Sequence, residues 1–130
     1  MVLFSKKKQY RFFVLFIFLG SMVSFSLNAQ SLPRPIENYL YSQNNPVYLR
    51  KFAHQSLQFL LSLKTDDEFY AFAYFLAKKP LPHYLAKNLG RNKIMRIASF
   101  FSGHFNIQNK KEIYHKENIL KLYMQIILNQ

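Results

Sequence analysis

Apolar residues are spread along this chain in two ways. From Phe12 to Leu19 they run unbroken as FFVLFIFL, and beyond position 46 they recur every three or four residues with polar residues between them. The first pattern suits a segment that is apolar all round, and the second suits helices that bury one stripe.

The clearest stripe comprises Leu49, Phe52, Ala53, Leu57, Leu60 and Leu61, with Arg50, Lys51, Gln55 and Gln58 opposite. It predicts a helix from Pro46 to Leu63, with the proline at a first helical position where no amide hydrogen is needed. Thr65-Asp66-Asp67-Glu68 reads as a capping box opening a second helix, on which Phe69, Phe72, Ala73 and Leu76 share a face. Three acids stand at its positive end, and Lys78 and Lys79 at its negative end before Pro80. A turn as short as Lys64 and Thr65 makes the two helices an antiparallel hairpin.

Three more helices are predicted. One runs from Pro82 through Tyr84 and Leu85 to Leu89 and ends at Gly90. The next is capped by Asn92, carries Ile94, Ile97, Ala98 and Phe101 inward, and closes at Gly103. His104 to Asn109 reads as a loop, and Asn109 with Glu112 as the cap of a last helix bearing Ile113, Leu120, Tyr123, Met124 and Ile127. Ile119, Leu122 and Ile126 broaden its apolar face, so this helix is expected to be central or partnered. Before all of these, Leu32-Pro33-Arg34-Pro35 reads as extended chain, followed by a short helix from Pro35 to Tyr41 and punctuation at Asn44-Asn45-Pro46.

The expected fold class is therefore all-α, a small bundle of four to five helices after an N-terminal signal or anchor helix. Residues 1–29 form the signal peptide or an uncleaved signal anchor, 30–45 a linker with a short helix, and 46–130 a single basic helical domain.

The opening segment sets the address. Lys6, Lys7, Lys8 and Arg11 precede the apolar run with no acid among them, and Asn28-Ala29-Gln30 offers a small residue for signal peptidase. Leu27 departs from the small-x-small pattern, and no charge interrupts the chain between Arg11 and Arg34, so a retained anchor is the competing expectation. Under the positive-inside rule the C-terminal part is exported either way, to the periplasm or the medium, or stays tethered at the inner membrane through residues 12–29.

Charge and cysteine usage narrow the class. The chain carries 18 Lys and Arg against six acids, a net charge of +12. Four of those cations and no acid fall in the first 29 residues, so the remainder keeps about +8. Cysteine is absent, which removes disulfides, a lipoprotein anchor, thiolate metal sites and a thiol nucleophile. There is also no Asn-x-Ser/Thr acceptor, and together these point to a bacterial envelope.

Little in the sequence suggests catalysis. The four histidines, at 54, 83, 104 and 115, stand singly. Glu112-x-x-His115 has the spacing of a carboxylate-bridged di-iron helix, but such a site needs two pairs and two further glutamates. Glu112 is better read as a cap and His115 as its solvated neighbour. Asp66, Asp67 and Glu68 are accounted for by the helix start, and no Gly-rich phosphate loop, nucleophile elbow or zinc-protease motif occurs. No catalytic residue, metal ligand or cofactor is expected, and the protein is read as a non-enzyme.

The feature with functional colour is a basic run: Lys78, Lys79, Lys87, Arg91, Lys93 and Arg96 fall in a stretch without an acid, beside His83 and Tyr84. It is expected to bind anions or a partner, the competing view being ordinary solvated cations. Export disfavours nucleic acid and leaves an anionic membrane surface or an acidic protein as the partner. The run Phe69 to Phe75 is expected to be mostly core, with Tyr70, Tyr74 and Phe75 as surplus. The leading reading is an exported interaction protein acting without turnover. The alternatives are a membrane-active cationic effector, and an enzyme whose site would bring His83, His104 or His115 to a carboxylate or serine.

Overall fold

The computed structural model describes residues 2–4, 7–8 and 31–129, and the chain divides into two units, Met1–Pro33 and Arg34–Gln130. The signal or anchor helix expected over residues 12–29 lies outside the described residues. In the first unit Val2–Phe4 (β1) and Lys7–Lys8 (β2) pair antiparallel, Val2 opposite Lys8 and Phe4 opposite Lys7. Among the described residues, no helix is long and apolar enough to cross a membrane.

The described part of the second unit is all-helical: α1 is Arg34–Tyr41, α2 Pro46–Leu61, α3 Asp66–Leu76, α4 His83–Leu89, α5 Arg91–Phe105 and α6 Lys110–Leu128. Six helices stand where four to five were expected. The additional member is α1, expected in a linker, and the reason is its burial: Ile36 and Leu40 are fully enclosed and the helix packs on α2 and α6. Glu37 fastens it to α2 by accepting from Arg50 at 2.6 Å.

Local chemistry sets the boundaries. At α3 the capping box forms: the Thr65 hydroxyl accepts from the Glu68 amide at 3.2 Å, and Glu68 Oε1 accepts from the Lys64 and Thr65 amides at 3.1 Å each. Glu68 is thereby buried with its carboxylate satisfied. Its far end closes in a Schellman motif, the Lys79 amide on the Tyr74 carbonyl and the Lys78 amide on that of Phe75. Lys78 occupies the left-handed position of that motif, with φ +59°, where glycine is the usual residue.

Two expectations about α5 are corrected. It begins at Arg91 straight after Gly90 (φ +80°), without a cap from Asn92, and it runs through Gly103 to Phe105. A glycine inside a helix costs about 1 kcal/mol, which packing outweighs here. The ring of His104, expected in a loop, lies 5.2 Å from that of Phe52 and 4.6 Å from that of Phe100, and Phe105 is 6.0 Å from Phe52.

These contacts belong to an aromatic seam joining α2, α3 and α5. Phe59 stacks on Phe100 at 4.4 Å, and Phe72 lies 5.7 Å from Phe100 and 4.9 Å from Phe101. Helix α6 closes the other side, burying Ile119, Leu120, Tyr123 and Met124 against α1, α2 and α3. The Tyr123 hydroxyl donates to the Ala53 carbonyl at 2.7 Å, and burial raises its pKa. Of the two settings expected for the last helix, the central one is found.

His104 links this core to pH. Burial first, and the nearby Lys116 cation second, hold its pKa below the ordinary 6.5. The native state therefore prefers the neutral imidazole, and the unfolded chain takes up the proton more readily. That preference contributes fully above about 6.5 and is lost as pH falls toward the lowered native value. The melting temperature is expected to drop between pH 7 and 5, and to drop less in His104→Phe. Equal slopes by circular dichroism would remove His104 from the account.

Candidate functional site

The six cations singled out from the sequence are all exposed, but they do not form one patch. Lys78 and Lys79 follow the C-terminus of α3, and Lys78 is paired with Glu117 of α6 at 2.9 Å. Arg96 lies over the Phe59 ring, 4.7 Å from its centroid, and donates to the Ser62 hydroxyl at the end of α2. Its charge is spent on holding α5 to α2.

Lys87, Arg91 and Lys93 are what remains, gathered at the corner where α4 turns into α5 through Gly90. Asn88 of the same corner reaches Asp67 at 3.5 Å, which places it beside the start of α3, the far end of that helix from Lys78. Among the described residues none of these three cations has an ion-pair partner. Arg91 and Lys93 stand in the first turn of α5, which holds no acid and receives no side-chain cap. The amide groups of that turn add positive potential to the two cations. Two large side chains flank them: Tyr84, 58 % exposed, one turn before Lys87, and Met95, 52 % exposed, one turn after Arg91.

Two clefts lie elsewhere. One, of about 230 Å3, is walled by Phe75, Leu76, Phe101, Phe105 and Ile113 and bounded by the Lys78–Glu117 pair. The surplus aromatic Phe75 is thus stacked on Phe101 at 5.8 Å, while Tyr70 is exposed on α3. The other, of about 280 Å3, is polar and lies between the α1–α2 turn and the start of α6.

The polar cleft contains a histidine whose burial and partner the sequence does not signal. His115, expected to be solvated, is 8 % exposed, and its Nδ1 lies 2.6 Å from the Tyr39 hydroxyl. Burial raises the Tyr39 pKa, and its oxygen also accepts from Asn118 at 3.1 Å. The Tyr39 hydroxyl and His115 Nδ1 thus share one hydrogen bond, whose donor is set by the tautomer of the ring. Nothing in the local sequence signals this, because Tyr39 is 76 positions away in the chain. Glu112 does not reach back to cap α6; it pairs with Lys116 at 3.1 Å, and Asn109 alone caps the helix, accepting from the Lys111 and Glu112 amides.

Among the described residues no group of three or more His, Asp or Glu side chains is placed to hold a metal ion. No protein-family model matches this chain, and no curated protein or solved structure matches it.

Proposed function

We propose that this chain is an exported helical protein of a bacterial envelope that binds anionic lipid head groups through the α4–α5 corner, by contact and without turnover. The observation carrying this reading is the conjunction of Lys87, Arg91 and Lys93, exposed and without ion-pair partners among the described residues, with exposed Tyr84 and Met95 on the same corner. Cations near an anionic leaflet contribute about 1 kcal/mol each, so the three supply about a hundredfold in partitioning. A tyrosine beside them suits the head-group level, where its ring is half in apolar surroundings and its hydroxyl stays wet. The apolar opening segment supports the reading by directing the domain to the envelope, where anionic head groups are at hand.

Co-sedimentation with vesicles tests it. Binding to phosphatidylglycerol-containing vesicles is expected to exceed binding to pure phosphatidylcholine, to weaken with salt, and to fall about a hundredfold or more in the triple variant Lys87→Glu/Arg91→Glu/Lys93→Glu. A retained apolar segment adds the same salt-insensitive binding to both proteins, so the comparison is made on the salt-released fraction. Equal binding by the two would overturn the proposal. Release of dye from the same vesicles at low protein concentration would favour a membrane-active effector instead.

A further inference from the structure

The polar cleft at the other end of the bundle is lined by groups that both donate and accept hydrogen bonds. Its wall is rich in carboxamides. Asn44 and Asn45 are exposed along it, and neither side chain has a hydrogen-bond partner among the described residues; in particular Asn45 does not cap α2. Gln43 donates Nε2 to the Ser42 hydroxyl at 2.9 Å, which leaves its Oε1 free to accept. Asn109 commits Oδ1 to the α6 amides at 3.0 and 3.1 Å, which leaves its Nδ2 free to donate.

The rest of the cleft adds a ring nitrogen and a flat surface. His115 and Leu49 are its buried residues, and with Nδ1 engaged by Tyr39 the imidazole keeps Nε2 as its second polar atom, a donor or an acceptor according to the tautomer. Tyr48 contributes a half-buried ring. The strong acid in the wall, Glu112, is neutralised by Lys116, and Lys111 is the cation of the rim.

This donor set selects among ligand classes. A phosphate is chiefly an acceptor, so it would use the NH2 groups of Asn44 and Asn45 and leave most of the amide oxygens at Gln43, Asn44 and Asn45 without a donor. An apolar ligand would strand the same groups without water. A metal ion would find one carboxylate, already engaged. Vicinal hydroxyls on a sugar ring each donate and accept, matching the side-by-side C=O and NH2 of a carboxamide, and the C–H face of the ring can lie on an aromatic surface. The volume, near the lower limit of about 300 Å3 for drug-sized pockets, fits one ring.

We propose that this cleft binds a single hexose-sized sugar unit of a glycan, its hydroxyls held by Asn44, Asn45 and His115 and its face laid on Tyr48. The site shares no residue with the α4–α5 corner and does not depend on the lipid-binding reading.

The full chain, labelled with 15N, can be titrated with glucose, N-acetylglucosamine, glucuronate and inorganic phosphate while side-chain amide and imidazole resonances are followed. At least one of the three sugars is expected to shift the Asn44 and Asn45 amides and His115 saturably, with a millimolar Kd. Asn44→Ala/Asn45→Ala, at exposed positions, is expected to keep the wild-type melting temperature and weaken that sugar at least tenfold. The Lys87→Glu/Arg91→Glu/Lys93→Glu variant is expected to bind it unchanged. The proposal is overturned if no sugar gives a saturable shift, if phosphate alone does, or if the folded double-alanine variant binds as the wild type.

Discussion

Phe72→Ala is expected to lower the free energy of unfolding by about 3–5 kcal/mol, a fifth or more of what holds a typical domain of this size together. Phe72 is fully buried and is the ring of α3 that meets the other two helices of the aromatic seam: Phe59 of α2 at 5.9 Å, and Phe100 and Phe101 of α5. Truncation removes apolar burial and leaves a void lined by Phe59, which stacks on Phe100, and by Phe101, which meets Phe100 edge-on, so the rings have little freedom to collapse into it. Phe72→Leu keeps most of the volume and is expected to cost less than about 1.5 kcal/mol. Urea unfolding checks both, with the midpoint falling at an unchanged slope. A loss under about 1 kcal/mol for the alanine variant would mean that the seam is not the core, against the usual cost of such a truncation.

Phe72 was legible as a core residue because the code that places it is local. The stripes of α2 and α3, the Thr65–Glu68 cap, the prolines at 46 and 82 and the glycine at 90 each act within a turn or two of chain, and periodicity reads them directly. What periodicity read wrongly depends on distant partners. Gly103 looks like a helix end until Phe52 is known to receive His104 and Phe105, and α1, legible as a short helix, looks like part of a linker until α2 and α6 are known to enclose Ile36 and Leu40. The basic run shows the same limit in the other direction. Its six cations are neighbours in sequence, but α3 is eleven residues long, so at about 1.5 Å per residue its two ends lie about 16 Å apart, with Lys78 and Lys79 at one and the Lys87–Lys93 corner at the other. Charge density along a chain does not say which charges are already spent, and Glu117 and Phe59 take up two of them.

Lys116 shows what a spent charge is worth. Its side chain is 11 % exposed, and its ammonium group meets three partners at once: the His104 carbonyl at 3.0 Å, Glu112 Oε2 at 3.1 Å and the Phe52 ring at 5.1 Å. The His104 carbonyl lies in the last turn of α5, where no amide of the same helix is left to satisfy it, so the lysine serves as that helix's C-terminal partner. Lys116→Ala is expected to cost about 2–3 kcal/mol. A fully buried broken pair costs about 3–5 kcal/mol, but Glu112 retains 26 % of its exposure, so water can take over part of its solvation. Lys116→Met keeps the stem against Phe52 and loses only the polar contacts, which sets its cost nearer 1–2 kcal/mol. Both variants also remove the cation that helps hold the His104 pKa down. Its native value then moves back toward 6.5, and the loss of stability between pH 7 and 5 becomes shallower than in the wild type. Urea titrations of the two variants at pH 7 and pH 5 measure both effects together: an alanine variant within about 0.5 kcal/mol of wild type would remove Lys116 from the set of groups that join α5 to α6, since ordinary surface substitutions fall in that range.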